Sequence, residues 1–204
     1  MNDRPKAPSR IQQKNRQRIL DAALQEFAAS GFAGTTIDRI AEAAQLSKPN
    51  VLYYFASKEA IYRNLLETLL DLWLAPLRVI DPEGEPKAQI LAYMQRKLGL
   101  SRDFPQESRL FANEILQGAP RLEPILVGGL RGLVEEKAVI IAGWMDQGRL
   151  ARVDPYHLII SIWALTQHYA DFESQIRAVL GPQRDPFAEA EPFLIHLYER
   201  LLGA

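Results

Sequence analysis

Cysteine is missing from the 204 residues. That excludes disulfide staples, thiolate zinc or iron–sulfur centres and cysteine nucleophiles. Histidine is scarce: His157, His168 and His196 are the whole set. His157 and His168 fall on one helical face but lie ~16 Å apart along the axis, too far for one ion to bridge. No metal or cofactor is therefore expected. A nucleophile elbow, a phosphate loop and a His-Glu-x-x-His run are all lacking, so nothing in the chain indicates catalysis. Apolar runs fall short of the ~18–20 residues that cross a bilayer, and the Pro- and Arg-rich beginning is unlike a signal peptide. A cytoplasmic location is expected.

The chain does have ample apolar material, 48% of residues against 24% charged. That suffices for a core without staples. The net charge of −1 hides a division. Residues 1–60 hold nine Lys and Arg against six acids, and residues 61–204 hold fifteen against nineteen. Arg4, Lys6, Arg10, Lys14, Arg16 and Arg18 crowd the first eighteen residues beside one acid, Asp3. A basic head on an acidic body suits a polyanion partner, although a solvated tail would look the same on charge alone.

Periodicity reads as helix nearly throughout, so the expected fold class is all-α. A disordered basic tail is expected over residues 1–12, a three-helix head over 13–57 and a larger helical body over 58–204. In the head, Ile19, Leu20, Ala23, Leu24 and Phe27 stripe a first helix over 13–30, which Gly31 closes. A short helix follows Thr35 and Thr36 and turns at Gln45-Leu46-Ser47. A third helix then starts with Ser47 as N-cap and Pro49 in its first turn. In the body, helices are expected over 57–74 (stopped by Pro76), 87–102, 105–118, 123–147 and 154–172, with a last one ending near 202. The three prolines between 181 and 192 leave that stretch undecided.

Two short helices around a tight turn have the spacing of a helix-turn-helix, whose second helix enters the major groove. Thr36 and Ser47 place hydroxyls at helix N-termini suited to phosphate, and Lys48 and Asn50 lie on the first turn of the reading helix. Tyr53 and Tyr54 offer phenols to the DNA backbone, and Lys58 adds a cation. The run Thr36-Ile37-Asp38-Arg39-Ile40-Ala41-Glu42-Ala43-Ala44, then Leu46-Ser47-Lys48-Pro49-Asn50-Val51-Leu52-Tyr53-Tyr54-Phe55 and Ser57-Lys58-Glu59, resembles the TetR family of transcriptional regulators. Pro49 is less usual there, but its first-turn position keeps the pattern.

The body resembles a narrower group. Asp71-Leu72-Trp73-Leu74-Ala75-Pro76-Leu77, Ser101–Phe111, Glu114–Pro120 and Trp163–Phe172 are similar to the RutR-type regulators of pyrimidine utilisation. That resemblance implies uracil or thymine as effector, with Trp73, Trp163 and Gln167 at the ligand. The residues themselves give partial support. Gln167 lies one turn after Trp163 on a helix apolar nearly all round, and a primary amide can meet the alternating carbonyl/N–H edge of a pyrimidine. An indole offers a face for stacking. Ordinary core tryptophans and a glutamine bonded to a neighbouring helix would have the same spacing. Phe111, Asn113 and Tyr169 are further pocket candidates. Arg102 and Arg109 are expected to pair with Glu107, Glu114 or other acids.

The family resemblance also implies a homodimer built on the last two long helices, where Phe193, Leu194, Leu197 and Leu201 are apolar. Paired reading helices would then meet a palindromic operator at ~34–36 Å spacing. The expected function is a DNA-binding regulator, a repressor, with operator affinity set by a small molecule. A different effector (a drug or fatty acid) or a helical protein that binds no DNA are the alternatives.

Overall fold

Local chemistry starts and stops the helices. The computed structural model describes residues 9–123 and 126–203, and among these every regular element is helical. The chain divides into two units, residues 1–67 and 68–204. The first unit opens with α1 (Arg10–Gly34). Ser9 and Gln12 form a reciprocal capping box, so the helix begins three residues earlier than periodicity suggested. The expected disorder is thus corrected for residues 9–12, and residues 1–8 lie outside the described ones. At Gly31, φ reaches +67°, a left-handed value that glycine adopts without strain, and the helix kinks there before resuming to Gly34.

Helix α2 (Ile37–Ala43) starts on Thr36, whose Oγ1 accepts the Arg39 N–H. The neighbouring Thr35 is buried, and its hydroxyl donates to the Gly31 carbonyl at 2.8 Å. Gln45 carries the turn with φ +53°, and the Leu46 N–H returns to the Ala41 carbonyl at 2.9 Å. Ser47 then caps α3 (Lys48–Tyr54), with Pro49 in the first turn. Ile19, Phe27, Ile40 and Val51 are fully enclosed and form the centre of this unit. Tyr62, on α4 (Lys58–Arg78), meets the Phe27 ring edge-on at 4.8 Å.

Helix α4 continues through Pro76 instead of ending before it. A proline near a C-terminus removes one backbone bond from a turn that has few to lose. In the second unit follow α5 (Pro86–Asp103), capped by Glu85, and α6 (Pro105–Leu116). The helix expected from 123 is shorter: Leu126–Leu130 forms a π-helical turn, and α7 runs Arg131–Asp146. Residues 124–125 of that expectation lie outside the described ones. Helix α8 (Pro155–Asp171) has the expected Asp154 cap, and the undecided stretch resolves into α9 (Glu173–Leu180) and α10 (Pro186–Leu201), the latter running through Pro192.

Helix α8 is the axis of the body. It packs against α5, α6 and α7 and buries Leu158, Ile159, Ile162 and Thr166. Its burial is one-sided, however: Tyr156 and Ile160 remain 43% and 46% exposed. The near-uniform apolar pattern therefore does not mean enclosure on all sides. No described helix is long and apolar enough to cross a membrane.

Candidate functional site

The head brings most of the predicted DNA-facing residues onto one surface. Thr36, Ser47, Lys48 and Asn50 are all exposed around the starts of α2 and α3. The Ser47 Oγ accepts the Asn50 N–H at 3.3 Å, which orders the first turn of α3. Lys48 pairs with Asp38 at 2.9 Å, with both side chains exposed. Such a pair holds weakly in water, so the ammonium can exchange partners at low cost.

Tyr53 is 71% exposed, unusual for a large ring that could have been buried. Its phenol oxygen accepts the Gln12 Nε2–H at 3.4 Å, and that of Tyr54 accepts the Asn15 Nδ2–H at 3.3 Å. The two rings meet edge-on at 5.1 Å. Lys58 departs from expectation. Its ammonium donates to the Phe32 and Thr35 carbonyls at 2.7 and 2.8 Å and sits 4.3 Å from the Phe32 ring centroid. In this arrangement Lys58 clamps the end of α1 to the start of α4, because those carbonyls have lost their helical partners.

In the body, a cavity of about 560 Å³ opens between α4, α5, α6 and α8. Trp73, Phe111, Trp163 and Gln167 all line it. Trp73 is 4% exposed, and its buried indole N–H has no acceptor among the described residues. Leaving such a donor unmet costs about 1–3 kcal/mol. Phe111 leans on Trp73 at 5.7 Å between ring centroids. Trp163 presents only ring to the cavity, since its own N–H is held by the Tyr93 hydroxyl at 2.5 Å. Gln167 is half-buried in the wall.

Two predicted residues do not belong to this wall. Asn113 is exposed, and Tyr169 packs on Phe187 with 6.0 Å between ring centroids. The reason is helical phase: each lies two positions past a true lining residue, Phe111 or Gln167, and so about 200° round the helix.

Sequence reasoning missed the ionisable pair. Lys97 is 2% exposed, with its ammonium 4.4 Å from the centroid of the Trp73 ring. Asp171 lines the same cavity and accepts a short hydrogen bond from the Ser108 hydroxyl. Burial pulls the Lys97 ammonium down to about 7, opposed by the nearby Asp171 charge. Burial also raises the Asp171 carboxyl, against the Ser108 hydroxyl and the Lys97 charge, which pull it down. Both shifts favour neutral groups, as a half-dry site demands. Arg102 and Arg109 pair with acids as expected, although with neither of the two named: Arg102 meets Asp103 at 2.8 Å, Arg109 meets Glu173 at 3.2 Å, and Glu114 is taken by Arg121. Among the described residues, no group of three or more His, Asp or Glu is placed to hold a metal.

Both parts of the chain match known protein families. Residues 19–65 match the family model described as bacterial regulatory proteins of the TetR family, and residues 66–204 match that of the YcdC-like protein C-terminal region. The chain is 51% identical over 173 residues to the HTH-type transcriptional regulator RutR of Escherichia coli strain K12, covering 85% of this chain and 82% of that protein. The structure resembles SCO4942 of Streptomyces coelicolor with a TM-score of 0.71 and 27% identity, covering 92% and 98% of the two chains. A regulatory protein in the TetR family from Rhodococcus RHA1 shares the fold at a TM-score of 0.74 and 21% identity, over 94% and 98%. With an all-helical fold, a helix-turn-helix head and a separate helical body, this chain belongs to the TetR family of helix-turn-helix transcriptional regulators.

Proposed function

We propose that the protein is a repressor that binds a palindromic operator as a homodimer and releases it when a pyrimidine base, uracil or thymine, fills the body cavity. One observation carries the effector assignment: Gln167 lines a cavity walled by the aromatic side chains Trp73, Phe111 and Trp163, with Lys97 in the same wall. A uracil ring is flat and carries two carbonyls around an N–H. A primary amide can pair with a carbonyl and that N–H together, and an ammonium can take the second carbonyl. The 51% identity to RutR supports the same reading.

Helix α4 is the proposed lever. It begins at Lys58 in the head, and its later residues Leu70, Trp73 and Leu74 line the cavity. A ligand that selects one position of this helix shifts the spacing of the reading helices, and small misfits between paired half-sites cost base contacts at both. The homodimer rests on the exposed stripe Phe193, Leu197 and Leu201 along α10. Leu194 faces inward and is fully buried, so it belongs to the core and not to this stripe.

A second reading has a specific support. The cavity of about 560 Å³ is roomier than a single base requires, and Leu70, Leu74, Ile115, Leu116, Leu126 and Leu130 make much of it apolar. A bulkier amphipathic effector would use that space. Titrating uracil, thymine and a medium-chain fatty acid against tryptophan fluorescence separates the readings. Trp73 and Trp163 report from the cavity, and Trp144, bonded to the Pro82 carbonyl, gives a constant background. Saturation by the fatty acid alone would overturn the pyrimidine assignment.

Effector binding should also follow pH. If a ligand carbonyl accepts from Lys97, binding favours the protonated amine, so affinity is highest below about pH 7 and declines above it. The limiting slope is about tenfold per pH unit. Lys97→Met should flatten calorimetric titrations between pH 6 and 8.5. A slope that survives the substitution would take the effect away from Lys97.

A further inference from the structure

The start of α1 lies before the residues matched by the family's head model, which begin at 19. It is nevertheless tied to the reading helix. The Gln12 side chain has two ends with different chemistry. Its Oε1 accepts the Ser9 backbone N–H at 2.8 Å, one half of the capping box. A backbone N–H can only donate, so this bond fixes which end of the amide is oxygen. The Nε2 end therefore faces Tyr53 and donates to its phenol oxygen. A phenol that accepts through oxygen keeps its own hydrogen for a different acceptor. Tyr53 is largely exposed, so that hydrogen is available to an acceptor outside the protein. One turn on, Asn15 repeats the contact with Tyr54. Arg10 and Lys14 stand exposed on the same turns, and no acid occurs in the first turn of α1. The local field is thus positive where the phenols are presented.

We propose that Gln12 is a positioning residue of the DNA-reading surface: it holds the Tyr53 phenol as a hydrogen-bond donor to the phosphate backbone. The proposal rests on the reading that Tyr53 contacts DNA. Ser9 and Gln12 thereby do two jobs. They start α1, and they orient a side chain 41 positions away in sequence.

A double-mutant cycle on the full-length protein, read by fluorescence anisotropy with duplex DNA that the unmutated protein selects from a random pool, tests it. Tyr53→Phe should lower affinity and so verify the reading beneath the proposal. Gln12→Ala should lower affinity about three- to tenfold, the loss typical of one hydrogen bond. In the Tyr53→Phe background, Gln12→Ala should add nothing. If Tyr53→Phe leaves affinity unchanged, the contact reading fails and the proposal falls with it. If Tyr53→Phe weakens binding but Gln12→Ala does not, only the proposal fails. Equal losses in both backgrounds would mean that Gln12 acts independently of Tyr53, which also overturns it. Because Gln12→Ala also weakens a helix cap, Asn15→Ala against Tyr54→Phe provides a second cycle at a residue outside the cap, with the same pattern expected.

Discussion

Replacing Gln167 by leucine should weaken uracil binding about 100-fold while leaving operator binding by the ligand-free protein within about twofold. Leucine fills similar space, so the wall of the cavity keeps its shape, but both hydrogen-bonding ends of the amide are lost. A uracil placed there would keep a carbonyl and an N–H without partners, at about 1–3 kcal/mol for each desolvated group. Two such groups give roughly 3 kcal/mol, which is the 100-fold loss. Gln167 is half-buried at the cavity surface and is not part of the closed core made by Ile162 and Leu158, so the body should remain folded. Calorimetry with uracil, together with a melting curve, checks both halves. A loss under threefold would remove Gln167 from the ligand site. A lowered melting temperature with loss of operator binding would indicate a folding role.

The second large effect belongs to the head. Tyr53→Ala should reduce operator affinity about tenfold or more with little change in melting temperature. Tyr53 is 71% exposed, so its removal opens no cavity, unlike truncation of the enclosed Val51 on the same helix. The ring also supports Tyr54 through their edge-on contact, so alanine disturbs two phenols at once. Binding measured at several salt concentrations should fall steeply in the unmutated protein, because phosphate contacts release counterions. Unchanged affinity in the variant would place the DNA contacts elsewhere on α3.

Much of the head was legible because its signals are short-range. Thr36 and Ser47 are caps with a hydroxyl at the right place, and Gly31, lacking a Cβ, turns left-handed without strain. The capping box at Ser9 and Gln12 was also written in the chain as a Ser followed three residues later by a Gln, but the basic tail around it masked the signal. Pro76 misled for a different reason: near a helix end a proline removes one backbone bond from a turn that has few to lose, so α4 runs on through it. The candidate site was legible where periodicity and residue type agreed, as at Trp163 and Gln167. Asn113 and Tyr169 were misplaced because nearness in sequence is not nearness on a helix face. Lys97 gave no signal at all. A lysine on an amphipathic helix reads as solvent-facing, and only the packing of Trp73 over it and Asp171 beside it reveals a buried charge.

The most direct test joins the two surfaces in one measurement. Duplex DNA selected from a random pool by the purified protein is labelled, and its binding is followed by anisotropy as uracil is added. The proposed mechanism requires retention of a palindromic sequence at moderate salt and a fall in affinity of at least about tenfold as the cavity fills, with the Gln167→Leu protein bound equally well but indifferent to uracil. Retention of no specific sequence, or an affinity that neither uracil nor thymine alters, would contradict it.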